Sequence, residues 1–342
     1  MTPRTASLTG LGRGMQPLKH EASRLRKSFA QMLCCFTMRV TQAVALAGLL
    51  VLLSLACGAG QAGQSKPGAL RVTSTLTQVS ALIRAVGGER VQLTPLLGPN
   101  TDPHQYELKP EQVTQLARSA AVFESGAGAD KWLDRGLAAA GETVHAVDLA
   151  KHVHLRSGNA GEGGQDPHWW YDVDNAKLAA AAISDELTRL DPAGRATYQR
   201  NAAALSDRLD AADRQIHTKL DPVPAPRRLF VANHDAFNYF LPRYGITLVG
   251  DIVPATDSIA AVRPADVARL VAAIRQDHVC AIFTETTIDP NLAAQIARES
   301  GARVFAGKLY GDALGEPGSP GGTLEGALSH NGAVMAEGFS SC

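Results

Sequence analysis

No stretch of this chain is apolar for long enough to cross a bilayer. The longest such run, Ala43 to Ala56, has 14 residues, whereas a spanning helix needs about 20. Net charge is absent too, since 33 Lys and Arg balance 33 Asp and Glu. Also missing are the H-E-x-x-H helix, the G-x-S-x-G elbow and the P-loop, and with them the hydrolase and nucleotide readings those motifs carry. Cysteine is scarce, at five residues in 342. Disorder is not indicated, because apolar residues make up 45%, close to the globular average. The length suits two ordinary domains or one large one.

The zero balance hides an asymmetry. Residues 1–56 hold seven basic residues (Arg4, Arg13, Lys19, Arg24, Arg26, Lys27 and Arg39) and one acid, Glu21. Removing these from the totals leaves 26 basic and 32 acidic residues from Cys57 onward. A mildly acidic body argues against nucleic acid as a partner and suits contact with cations.

Arg39, the apolar run and Leu53-Ser54-Leu55-Ala56-Cys57 together read as a secretory signal. Residues 1–56 are therefore assigned to a leader and signal peptide. A Cys directly after a small residue resembles the lipobox of bacterial lipoproteins. That predicts lipidation at Cys57 and a membrane tether; ordinary cleavage a few residues later is the other reading. Met38 stands where such a signal would begin, so the working start is expected downstream of Met1. Residues 57–69, with Gly58 to Gly68 reading GAGQAGQSKPG, form a flexible tether. The expected location is outside the cytoplasm, in the periplasm or on the outer face of the cell membrane. Cys34 and Cys35 fall in the leader. Cys280 and Cys342 then remain as an even pair in an exported protein, where disulfides persist.

Beyond the tether, strands alternate with helices. Strand candidates are Leu70–Ser74, Val91–Leu97, Ala120–Ser125 and Thr143–Leu149, then Arg228–Asn233, Ile246–Val253, Val279–Glu285 and Arg303–Gly307. Each is short, apolar or β-branched, and bounded by turn residues. Helical stretches such as Gln78–Val86, Glu111–Arg118, Pro264–Arg275 and Leu292–Ser300 lie between them. The fold class is α/β, with two lobes, each a four-stranded parallel sheet with flanking helices. One long backbone helix joins them over residues 191–222, between an N-terminal lobe (70–190) and a C-terminal lobe (223–342). Its stripe is Tyr198, Ala202, Leu205, Leu209, Ala212, Ile216 and Leu220. Asp191-Pro192 is expected to cap its start.

Three histidines and one acid follow strands: His104 the second, His168 the fourth, His234 the fifth and Asp312 the eighth. His104 and His168 share the tripeptide Asp-Pro-His. Open α/β sheets bind ligands beyond the carboxyl ends of their strands, so two groups from each lobe can meet in the cleft. Three imidazoles and a carboxylate suit tetrahedral Zn²⁺, while Mn²⁺ is expected to use more oxygen ligands. Asp102, Asp166, Asp235 and Glu285 either orient the histidines or serve as turn and capping residues. Trp169, Trp170 and Phe237 dry the cleft or simply pack its loops. His145 is read as packing and His278 as the start of a strand. His217 is placed on the long helix and His330 on a helix surface.

The segments DPHQYEL (Asp102–Leu108), DPHWWYD (Asp166–Asp172), HDAFNYFLPRY (His234–Tyr244) and LYGDALG (Leu309–Gly315) resemble the zinc/manganese solute-binding proteins of ABC importers. The resemblance runs from about residue 70 to the C-terminus. It implies two lobes on a backbone helix, a metal between them held by His104, His168, His234 and Asp312, and an ABC permease as partner. Manganese members typically carry Glu at the third position, so His234 favours zinc as the transported ion. Similar zinc receptors also have a bridge placed like Cys280–Cys342. Many carry a long His-rich loop; here it shrinks to His152, His154 and the glycine-rich Arg156–Gln165. The function expected is a monomeric, non-enzymatic zinc receptor. The alternatives are a zinc-dependent hydrolase and a receptor for manganese or a chelated metal.

Overall fold

The short apolar runs become strands at nearly the expected places. In the computed structural model, which describes residues 68–141, 143–158, 164–253 and 262–341, β1 is Leu70–Ser74 and β2 Val91–Pro95. β3 is Ala121–Glu124 and β4 Ala146–Asp148. The second set comprises β5 (Leu229–His234), β6 (Thr247–Val253), β7 (Ala281–Glu285) and β8 (Arg303–Leu309). The leader, Cys57 and Cys342 lie outside the described residues.

The strands form two sheets, ordered β2-β1-β3-β4 and β6-β5-β7-β8. Every pairing is parallel. Parallel neighbours need crossovers, and helices supply them. In each sheet the chain leaves the first strand to one side and later returns on its other side. This puts the switch points between β1 and β3 and between β5 and β7, where such sheets hold ligands.

Two helices pack closely along the first lobe: α1 (Thr77–Gly87) and, after α2 (Pro110–Ala117) and α3 (Leu133–Ala140), the longer α4 (Val173–Leu190). The linking helix is α5 (Arg195–Leu220), 26 residues long, or about 39 Å at 1.5 Å per residue. Its stripe faces inward as expected: Tyr198, Leu205, Leu209, Ala212, Ile216 and Leu220 are buried. It packs on α1 and α4 of the first lobe and on α9 (Leu324–Ser340), the last helix of the second. The second lobe also holds α6 (Phe240–Arg243), α7 (Pro264–Gln276) and α8 (Asn291–Ser300).

The start of the linking helix differs from expectation. Pro192–Gly194 is a separate 3-10 turn, and Asp191 caps nothing with its side chain. That carboxylate instead accepts from Arg90 Nε at 2.8 Å and from the Tyr198 hydroxyl at 2.7 Å. A charged partner and a buried phenol outcompete the orphan amides of a helix start.

Candidate metal centre

His234 ends β5, while His104, His168 and Asp312 lie in the loops that follow β2, β4 and β8, and local chemistry fixes them there. In both Asp-Pro-His tripeptides the aspartate folds back on the backbone. Asp102 Oδ1 accepts the His104 N–H at 2.8 Å, and Asp166 Oδ1 accepts the His168 N–H at 2.8 Å. These are Asx turns, with proline setting the middle φ. His234 is the last residue of β5, one place further along the strand than expected. Asp312 follows β8 in a loop whose Tyr310 N–H is accepted by Asn331 Oδ1 at 2.9 Å.

Together, His104, His168, His234 and Asp312 offer four ligand atoms that all lie within 4.8 Å of one another. Asp312 is the hub. Its Oδ1 is 3.1 Å from His168 Nε2, while its Oδ2 is 3.4 Å from His104 Nε2 and 3.5 Å from His234 Nδ1. His104 Nε2 and Asp312 Oδ2 are buried without a hydrogen-bond partner. Lone buried polar atoms are costly, so a cluster that points several of them at one spot is fitted for a cation. His104 is the outermost of the four candidates, with its side chain 13% exposed against 1% for Asp312.

The electrostatics agree. Burial alone would push the His168 imidazole down. Its hydrogen bonds to Asp166, at 2.8 Å from Nδ1, and to Asp312 outweigh this and raise it to about 9. Burial would likewise push Asp312 up, but His234, His104 and His168 hold it well below the usual carboxylate range. Glu285, at the end of β7, is wholly buried and raised by that burial. A divalent cation among these groups takes over the role that protons play without it.

Of the four acids that adjoin the ligands in sequence or in space, three now have observed partners. Asp166 does both jobs anticipated for it: it forms the turn and orients the His168 ring. Asp102 forms its turn. The Asp235 backbone amide extends the strand pairing, donating to Val253 O at 3.2 Å. Trp169, Trp170 and Phe237 are buried, and the Trp170 ring meets the His168 ring edge-on at 5.4 Å. Tyr239, inside the HDAFNYFLPRY segment, was assigned no role from sequence. Its hydroxyl donates to Asp166 O at 2.9 Å and accepts the Arg156 N–H at 2.8 Å, so the second lobe grips the loop that carries His168.

The other described histidines stay apart from this centre. His145 is exposed and pairs with Glu186 at 2.7 Å, so it is not a packing residue. His278 does not begin a strand. It sits exposed in a turn with φ of 56°, and β7 starts three residues later. His217 lies on α5 with its ring 5.1 Å from that of Tyr244, and His330 on α9 reaches Lys308 O at 2.9 Å. His152 and His154 are exposed. The loop beyond them is closed at its base by the Ser157–Gln165 bridge, while residues 159–163 lie outside the described residues.

The profile of the family described as zinc-uptake complex component A, periplasmic, matches residues 72–338. The chain is similar to the manganese-binding lipoprotein MntA of Bacillus subtilis, with 31% identity over 80% of this chain and 91% of that protein. It is 25% identical to the manganese ABC transporter substrate-binding lipoprotein PsaA of Streptococcus mitis, over 85% and 96% of the two chains. Its fold matches that of the periplasmic zinc-binding protein TroA from Treponema pallidum, with a TM-score of 0.74 and 24% identity, over 80% of this chain and 99% of that one.

Proposed function

The chain belongs to the zinc-uptake complex component A family, the metal-binding solute receptors of ABC importers, and on that premise we propose that it captures Zn²⁺ outside the cytoplasm and delivers it to a partner permease. Members of this family are receptors and not enzymes. The observation that carries the zinc reading is the convergence of three imidazoles and one carboxylate, drawn from both lobes, within 4.8 Å. Imidazole nitrogen suits zinc, and Asp312 supplies the fourth, tetrahedral position.

In this reading His104 and His168 come from the N-terminal lobe (70–190), and His234 and Asp312 from the C-terminal lobe (223–342). The helix between the lobes is one stiff element, so the ion is enclosed with little lobe motion. Cys57 carries the lipid that tethers the protein, in keeping with relatives named as lipoproteins. The Cys280–Cys342 bridge belongs to the proposal as well. Arg303 supports it, since its amide donates to Cys280 O at 3.0 Å and its guanidinium to Ser341 O at 2.9 Å. Those two bonds draw the end of the last helix toward Cys280.

Manganese is the second reading. It is favoured by relatives whose names record manganese and by the oxygen donors beside the histidines. Elemental analysis of protein purified without chelator, from cells given equal zinc and manganese, separates the two. The proposal expects close to one zinc per chain. Manganese in its place, or no metal at all, would overturn it.

A further inference from the structure

Glu285 is a buried acid at this centre whose carboxylate, among the described residues, accepts no hydrogen bond and approaches His234 only at 3.7 Å. It ends β7, next to His234 at the end of β5, across the switch point of the second sheet. Its side chain has no solvent exposure, and neither Oε1 nor Oε2 has a hydrogen-bond donor. Asp102 and Asp166 contrast with it, because both spend their oxygens on Asx turns and Asp166 also on the His168 ring.

The carboxylate is also given room on purpose. A Cβ at Gly311 would fall 1.5 Å from Glu285 Oε2, so only glycine beside Asp312 lets the acid reach inward. From there Oε2 stands 3.7 Å from His234 Nδ1, the nitrogen that is 3.5 Å from Asp312 Oδ2. A buried carboxylate without donors is retained where a cation compensates it. With neutral imidazoles, Asp312 and Glu285 carry the two negative charges that a divalent ion needs.

We propose that Glu285 is a further ligand of the bound ion, adding a carboxylate oxygen on the His234 side and so admitting a larger, oxygen-preferring divalent ion such as Mn²⁺ alongside Zn²⁺. This rests on the receptor reading and deepens it. Zinc is content with four donors in a tetrahedron, so it gains little from the added oxygen. Manganese favours carboxylate and water oxygen, so its affinity depends on Glu285. The residue is thus a determinant of ion choice.

The test is competition titration of Mn²⁺ and Zn²⁺ on the mature wild type, Glu285→Gln and Glu285→Ala, with X-ray absorption of the Mn²⁺ forms. Glu285→Gln keeps the shape against Gly311 and guards against a folding defect. The expected result is a loss of Mn²⁺ affinity of about tenfold or more, a much smaller loss for Zn²⁺, and one oxygen donor fewer around Mn²⁺. Equal losses for both ions would mean that Glu285 only steadies His234, and would overturn the proposal. So would unchanged affinities. A wild type that binds neither ion would instead overturn the receptor reading itself.

Discussion

Thr77 Oγ1 accepts the Leu314 backbone N–H at 2.8 Å, joining residues 237 positions apart. Thr77 opens α1 of the first lobe, and Leu314 lies in the loop that carries Asp312. Gln78 Nε2 donates to Gly311 O at 3.2 Å, and the Asn100 N–H to Leu314 O at 3.0 Å. The Tyr171 hydroxyl reaches the carbonyls of Tyr310 and Gly311. A loop of the second lobe is thus bolted to the first, and Asp312 is held from both sides.

Thr77→Val should loosen that loop. The Leu314 N–H loses its acceptor, and an orphaned buried donor costs about 1–3 kcal/mol. Metal should leave the variant faster than the wild type, with a lower melting temperature in the metal-free form. Chelator-driven release followed by stopped flow checks it; an unchanged release rate would show that the loop is held without Thr77.

The His168 shift sets a pH window. Its folded value of about 9 exceeds the ordinary 6.5. A raised imidazole stabilises the metal-free fold below pH 6.5, and this contribution fades as pH rises through about 9. Metal binding requires the proton to leave, so Zn²⁺ affinity should climb over the same interval. Near pH 7, calorimetry in buffers of different ionisation enthalpy should detect proton release on binding. Heats independent of the buffer would contradict this.

The linking helix should carry much of the stability that the lobes share. Ile216 is fully buried on α5, and a Cβ at Gly332 of α9 would stand 2.8 Å from Ile216 Cγ1. Ile216→Ala should cost about 2–5 kcal/mol, and Gly332→Val should destabilise by overpacking. Denaturant titration of the metal-free proteins measures both. A loss below ~0.5 kcal/mol in Ile216→Ala would mean that the helix packs without this contact.

Much of this architecture could be read in the sequence, because its signals are local. β-branched runs bounded by Gly and Pro marked the strands, and a seven-position stripe marked α5. The four candidate ligands could be picked out because each follows a strand in sequence, His234 at the very end of β5 and the other three in the loops after β2, β4 and β8. Two kinds of feature escaped. A helix was read around His330, but the bounds and burial of α9 were not, because it is buried on several sides, by Leu324, Leu328, Met335 and Phe339 as well as by small residues. The supports from Thr77, Gln78 and Tyr239 were also missed, since a hydrogen bond between distant positions leaves no spacing to read. The Asp191-Pro192 cap failed for a related reason. Its carboxylate belongs to Arg90, 101 residues earlier.

The bridge between Cys280 and Cys342 is expected to leave neither thiol titratable in the denatured, unreduced mature protein. Closing that loop stabilises by roughly 4 kcal/mol in the chain-entropy model. Two reactive thiols from this pair would refute the bridge.

Calorimetric zinc titration of the wild type beside four ligand variants tests the central claim most directly. The wild type should bind one Zn²⁺. His104→Ala, His168→Ala and His234→Ala should each weaken it severely, with His234→Ala showing the clearest loss because it removes the imidazole at the end of β5. Asp312→Ala should weaken binding less, since water can fill the vacated position, and exchanging His152 and His154 should leave the tight site intact. Unchanged affinity in all three histidine variants would place the zinc elsewhere and contradict the account.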